Sequence, residues 1–274
     1  MRQLDLSLIP GRVKAPAPVY AGSDMPLRFY LGVHRPGWLA EAPCRLFVAR
    51  QAFGAMARLP RARGPWALDS GGFTELNKHG RWTRTPREYC DDVRRLRDEV
   101  GQLEWAAPMD WMCEPVVTAK TGLSVEEHQR RTVDNFLELR SIAPDLPIAP
   151  VLQGWLSASY LDCAELYARA GVDLSKEPVV GVGSVCRRQS TDLLLRVTMR
   201  LDDLELRNLH GFGLKKTGLI ALAGSSFRSA DSLAWSFHER REKTGMQNDL
   251  PTALDWRREM LGQVARTGYR PIEE

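Results

Sequence analysis

The 274-residue sequence predicts an α/β fold, and within that class a single-domain (β/α)8 TIM barrel. Two observations carry this. From Leu27 onward, eight short apolar runs alternate with longer amphipathic stretches, the pattern of a βα array. Polar residues repeatedly interrupt the C-terminal ends of those runs, and the C-terminal strand ends are where a barrel gathers its site. A doubly wound open sheet is the main rival, because periodicity does not report ring closure.

The runs are LRFYLGV (27–33), RLFVA (45–49), WALDS (66–70), LEWAAPMD (103–110), IAPVLQG (148–154), VVGVGSV (179–185), LHGFGL (209–214) and FRSADSLA (227–234). Helices are predicted between them at 86–101, 124–143, 157–171 and 190–204. A last helix at 253–266 is expected to pack outside. The first opens with Thr85 before Pro86, an N-cap followed by proline at the first helical position. Ser124 and Glu127 have the spacing of a capping box, and Gly171 is placed to stop the third helix. Residues 1–26, rich in Pro, Gly and Ala and lacking a period, read as an N-terminal arm or cap. No repeat, low-complexity tract or linker divides residues 27–274, so these read as one barrel with its C-terminal helix.

With 43% hydrophobic and 26% charged residues, the chain has the composition of an ordinary soluble globular domain. The formal net charge of +4 is compatible with a polyanionic partner without establishing one. Five cysteines, at 44, 90, 113, 163 and 186, include no CxxC pair and no histidine at zinc-finger spacing. Reduced thiols and no metal site are therefore expected. The N-terminal stretch has no apolar run long enough for a signal peptide or a membrane span, so a cytoplasmic protein is expected.

Asp69-Ser70, Asp110, Gln153, Ser184 and Asp231 sit at strand ends, with Gly72, Gly154, Gly183 and Gly213 alongside. Each has a plain structural reading: a strand-end Asp can cap the next helix, and a loop Gly can serve a positive φ. Three carboxylates and an amide aimed at one mouth are costly unless a ligand or a proton offsets the charge. A guanine-like base fits such a set, since a carboxylate accepts from its N–H and amino groups and an amide donates to its carbonyl. A second acid can then serve as nucleophile at a sugar carbon and a third as acid/base, as in retaining glycoside chemistry. A sugar-processing barrel would use similar acids.

The stretch LDSGGF resembles the DSGGF/Y signature of the tRNA-guanine transglycosylases, and the later motifs follow in that family's order. Asp110 in PMDWMCEP is similar to the family's acid after the fourth strand, and Gln153 in VLQGW to its VQG glutamine. Gly181-Val182-Gly183 resembles its base-binding glycine loop. His210-Gly211-Phe212-Gly213 falls where that family has an LMGVG segment, and Asp231 follows at nearly the spacing of the nucleophilic aspartate. The resemblance covers roughly residues 27–241. RGPWALDSGGFTEL, LEWAAPMDWMCEP, HQRRTVDNF, PVLQGW, GVGSVCRR and SADSLAWS resemble more closely the short phage and actinobacterial branch that modifies DNA with deazapurines. The chain departs from the tRNA enzymes in its shorter length, in Asp231-Ser232 for an aspartate-cysteine pair, and in having no cysteine after Cys186. The zinc subdomain is therefore expected to be absent.

The resemblance implies a base-exchange glycosyltransferase that replaces guanine in DNA with free 7-cyano-7-deazaguanine or a close derivative. Asp231 would be nucleophile and Asp69 acid/base, with no cofactor. Ser70, Asp110, Gln153 and His210 would line the base pocket, with backbone N–H groups near Gly181, Val182 and Gly183 on the base carbonyl and Phe73 on its face. Arg81, Arg84, Arg187, Arg188, Arg240 and Arg241 are candidates for phosphate contact. Trp82, Trp111 and Trp155 lie just beyond strand ends, where they can stack on flanking bases or fill the loop core. The DNA target, double- or single-stranded, must present an unstacked base, and a helper protein that opens DNA is a candidate partner. The alternatives are the same chemistry on tRNA or another RNA, or a non-catalytic nucleic-acid-binding subunit.

Overall fold

The computed structural model describes residues 27–54, 56–185, 191–222, 225–236 and 249–267. The expected arm at 1–26 lies outside them. Eight strands form within the eight apolar runs: β1 (Arg28–Val33), β2 (Leu46–Ala49), β3 (Trp66–Asp69), β4 (Leu103–Ala106), β5 (Val151–Leu152), β6 (Val180–Val182), β7 (Leu209–Gly211) and β8 (Phe227–Ser232). They make one sheet in the order β4-β3-β2-β1-β8-β7-β6-β5, every pair parallel.

The ladder is not continuous between β4 and β5. A single parallel bridge, Ala106 to Ile148, spans that seam, with Ala106 N–H donating to the Pro147 carbonyl at 2.9 Å and Ala149 N–H to that of Ala106 at 3.0 Å. Strand ladders therefore do not close the expected ring, and Pro147 and Pro150, which lack the N–H a ladder needs, both precede the short β5.

The sheet is nevertheless strongly curled. Trp105 of β4 and His210 of β7 lie five strands apart in the sheet order, which in a flat sheet is about 24 Å. Their ring centroids are 4.7 Å apart. Side-chain alternation explains what the curl encloses. Phe29, Leu31, Leu46, Val48, Trp66 and Leu68 face the main core, whereas the intervening Tyr30, Phe47, Ala67 and Trp105 form a second cluster. A sheet that is apolar on both faces is buried on both, as parallel sheets are.

Eight α-helices are described: α1 (Gly72–His79), α2 (Pro86–Val100), α3 (Pro115–Thr121), α4 (Val125–Ile142), α5 (Ser157–Arg169), α6 (Thr191–Asp202), α7 (Lys216–Ala221) and α8 (Leu250–Ala265). They do not alternate one-to-one with the strands. The links after β1 and β2 hold only 3-10 turns, Pro36–Ala40 and Arg50–Phe53, while the loops after β3 and β4 each gain a short extra helix, α1 and α3. The caps follow the local chemistry. Thr85 and Glu88 make the reciprocal box at the start of α2, and Gly171, at φ +79°, follows α5. At α4 only half of the expected box forms. Ser124 Oγ accepts from Glu127 N–H at 3.2 Å, but the Glu127 carboxylate is held by Arg130 at 2.7 Å and Arg131 at 2.6 Å. α8 packs on the outside, with Trp256 against Phe29 of β1.

Among the described residues no group of three or more His, Cys, Asp or Glu side chains could hold a metal ion. No described helix is long and apolar enough to cross a membrane. Cys44, Cys90, Cys113 and Cys163 are buried, and none forms a disulfide among the described residues.

Candidate active site

Asp69 is the last residue of β3, where the chain turns into α1 through Ser70 and Gly71. Gly71 sits at φ +78°, in the left-handed region that favours glycine, and its N–H donates to Asp69 Oδ1 at 3.0 Å. Gln51, in the turn after β2, locks this loop by donating from Nε2 to the Gly71 carbonyl at 2.7 Å. Burial pushes the Asp69 carboxyl up to about 6; the Gly71 N–H opposes that rise, the Asp231 charge adds to it, and Arg50 opposes it. An acid poised there can both give and take a proton near neutrality.

Ser70 points the other way. Its hydroxyl donates to Asp110 Oδ1 at 2.9 Å, and Gln153, just past β5, donates from Nε2 to Asp110 Oδ2 at 2.6 Å. Burial pushes Asp110 up to about 7 even though both hydrogen bonds favour its ionised form; the charge of Asp69 works with burial. The array continues through Ser184, beyond β6, whose hydroxyl lies 2.8 Å from Gln153 Oε1. Gln129 of α4 holds the Gln153 backbone carbonyl at 2.7 Å. Ser70, Asp110, Gln153 and Ser184 are all at least nine-tenths buried.

Asp231 lies on β8, in register with Tyr30 of β1. Its Oδ1 accepts from Gly213 N–H at 2.8 Å and lies 3.3 Å from His210 Nε2. Both contacts engage Oδ1, and among the described residues none engages Oδ2. Burial holds His210 below the usual histidine range, against the pull of Asp231. The ring is therefore neutral at pH 7, and the network assigns Nε2–H toward Asp231 and Nδ1 as acceptor from Ser229 at 2.8 Å.

His210 does not line open space as a pocket wall would. It is fully buried and boxed by Tyr30, Phe47, Trp105 and Phe212, with centroids 4.7–5.6 Å away. The glycine loop also differs from the expectation. The N–H groups of Gly181 and Gly183 donate to the Pro150 and Leu152 carbonyls at 2.9 Å each, so the sheet occupies them. These glycines provide clearance instead: a Cβ at Gly183 would lie 2.2 Å from Gln153 Nε2, and one at Gly181 would lie 2.5 Å from the Phe212 ring. Val182 between them is fully buried in the core.

Phe73 is half-buried against Leu76, Trp111 and Val117. Trp82 donates from Nε1 to the Asp110 carbonyl at 3.3 Å, and Trp111 lies between His128 and the guanidinium of Arg131. Those two tryptophans fill the loop core; the backbone N–H of half-buried Trp155 donates to Ser159 Oγ at 2.9 Å. Arg81 is exposed beside Trp82, and Arg84 pairs with Asp92 at 3.5 Å. Arg187, Arg188, Arg240 and Arg241 lie outside the described residues.

Arg50 belongs to no motif and is legible only in the structure. It is buried between Glu75 of α1 and Asp92 of α2, at 3.1 Å from each, and so ties the Asp69 loop to two helices. Its one sequence signal is a charge directly after an apolar run.

No curated protein matches the sequence. The family described as DpdA, DeoxyPurine in DNA protein A, matches residues 25–268, a span that contains every strand, Asp69, Asp110, Gln153 and Asp231. With that match over most of its length, the chain belongs to the DpdA family, the DNA-guanine transglycosylase branch of the tRNA-guanine transglycosylase superfamily.

Proposed function

We propose that the protein exchanges guanine in DNA for a 7-deazaguanine, most simply 7-cyano-7-deazaguanine, through a covalent sugar-aspartate intermediate on a (β/α)8-type scaffold. The observation that carries this reading is the division among the three acids. Asp231 has one carboxylate oxygen that no described residue engages, Asp69 is poised near neutrality, and Asp110 is held in an array with an amide.

In the first displacement Asp231 Oδ2 bonds to the anomeric carbon as the bond to guanine N9 breaks, and the electron pair leaves on the base. Protonated Asp69 supplies the proton that the departing base takes up. In the second, Asp69 takes the N9 proton of the incoming 7-deazaguanine, whose nitrogen attacks the sugar and releases Asp231. Two inversions give retention. A 7-deazaguanine has no N7 lone pair, so protonation there cannot help it leave again and the exchange runs one way.

Asp110 would accept from the N–H and amino edge of the base. Gln153 Nε2, with one proton on Asp110, would donate its other to the base carbonyl, the task first assigned to the glycine loop. His210 would act on Asp231 and not on the base. Exposed Arg81 and the arginines at 187, 188, 240 and 241 would meet phosphate, and the target base would be unstacked before reaction.

The test offers labelled 7-cyano-7-deazaguanine with duplex DNA, single-stranded DNA or tRNA. Label entering DNA with release of guanine is expected. Label entering only tRNA overturns the choice of polymer, and no incorporation into any of them overturns the exchange reading.

A further inference from the structure

Ser184 has a backbone and a set of contacts that a loop serine does not need. It lies at φ +56°, left-handed although it is not glycine, and is 4% exposed. Its Oγ accepts from Cys113 N–H at 2.8 Å and lies 2.8 Å from Gln153 Oε1 and 2.9 Å from Glu114 Oε2. These partners come from the loop after β4 and the end of β5, so the serine joins those two loops.

The two ends of a glutamine amide have nearly the same shape, and only their partners decide which faces where. For Gln153 one partner is Asp110 and the other is Ser184. Asp110 does not settle the matter alone. When ionised it accepts and selects the nitrogen, but with its carboxyl near 7 a large fraction is protonated at neutral pH, and the protonated form can donate to the oxygen. A flipped amide would turn its carbonyl toward the pocket. Ser184 breaks the tie when its proton goes to Oε1. Glu114 competes for that proton, so the serine's placement between the two acceptors is decisive.

We infer that Ser184 is a positioning residue that keeps the nitrogen of Gln153, and not its oxygen, toward the bound base, and so makes the site prefer a 6-carbonyl purine over a 6-amino one. This rests on the base-exchange reading above. It assigns specificity to a side chain that does not touch the base.

The test compares wild type, Ser184→Ala and Ser184→Gly, using guanine and 2,6-diaminopurine as free bases. Binding is measured by equilibrium dialysis and exchange into DNA by KM and kcat. Both variants should raise the guanine Kd and KM about tenfold, the worth of one buried hydrogen bond, and leave the 2,6-diaminopurine values within about twofold. The kcat should change little. Glycine adopts φ +56° without strain, so a folding failure of the alanine variant alone decides nothing against the glycine result. An unchanged guanine to 2,6-diaminopurine ratio in the folded variants, or equal loss of both bases, overturns the inference while the exchange reading stands. A wild-type protein that neither binds nor exchanges guanine overturns both.

Discussion

Replacing Asp69 with Asn removes a carboxyl that the fold holds in an unfavourable place for charge. Moving it from 3.8 to about 6 makes its ionisation about 3 kcal/mol costlier in the folded chain than in the unfolded one. Its half-buried position lets solvent trim this to about 1–3 kcal/mol. The sign follows from proton binding. Between roughly pH 4 and 6 the folded state holds this proton more tightly, so stability falls as pH rises through the window and levels off above it. Asparagine keeps the Oδ1 acceptor that Gly71 N–H needs, and it removes the repulsion with Asp231. Asp69→Asn should therefore be more stable than wild type at pH 8 by about 1–3 kcal/mol, roughly 2–10 °C in Tm for a chain of this size. By pH 4 the gain should shrink below about 1 kcal/mol. Thermal melts followed by circular dichroism at the two pH values read this directly. A variant destabilised equally at both would refute a raised Asp69, and base exchange that survives the substitution would refute its acid/base role.

Gly183→Ala should keep the fold but lose guanine binding by at least tenfold in Kd, because the added Cβ would lie 2.2 Å from Gln153 Nε2 and must displace the amide; unchanged binding by equilibrium dialysis would contradict this. Arg50→Met should cost about 3 kcal/mol in urea unfolding, chiefly because it leaves buried Glu75 without its cation, whereas Asp92 keeps Arg84. A loss below about 1 kcal/mol would show that solvent already satisfies those acids.

Much of the fold was legible in the sequence because buried parallel strands write themselves as apolar runs with polar ends. All eight strands fall within those runs. Helix α1 was not legible: it spans 8 residues and opens on Gly71-Gly72, which reads as a turn. The 3-10 links after β1 and β2 were hidden for the opposite reason, since strict alternation assumes a full helix in every link. At the site, Asp69, Asp110, Gln153 and Asp231 stood out as polar strand ends. Ser70 and Ser184 stood out with them, but the contacts of Ser184 and the place of Arg50 did not, because they exist only through distant contacts. Arg50 reaches Glu75 across 25 positions, and Ser184 meets Cys113 across 71. The glycine loop misled for a different reason: the sequence does not say which N–H groups a ladder will use.

The central claim is that Asp231 carries the sugar. Incubating the protein with guanine-containing DNA and no incoming base, then denaturing and mapping any adduct by mass spectrometry, tests it most directly. A protein–DNA adduct at Asp231 is expected, one that disappears on adding 7-cyano-7-deazaguanine and never forms in Asp231→Ala. An adduct at Asp69 or Asp110, or full exchange by Asp231→Ala, would contradict it.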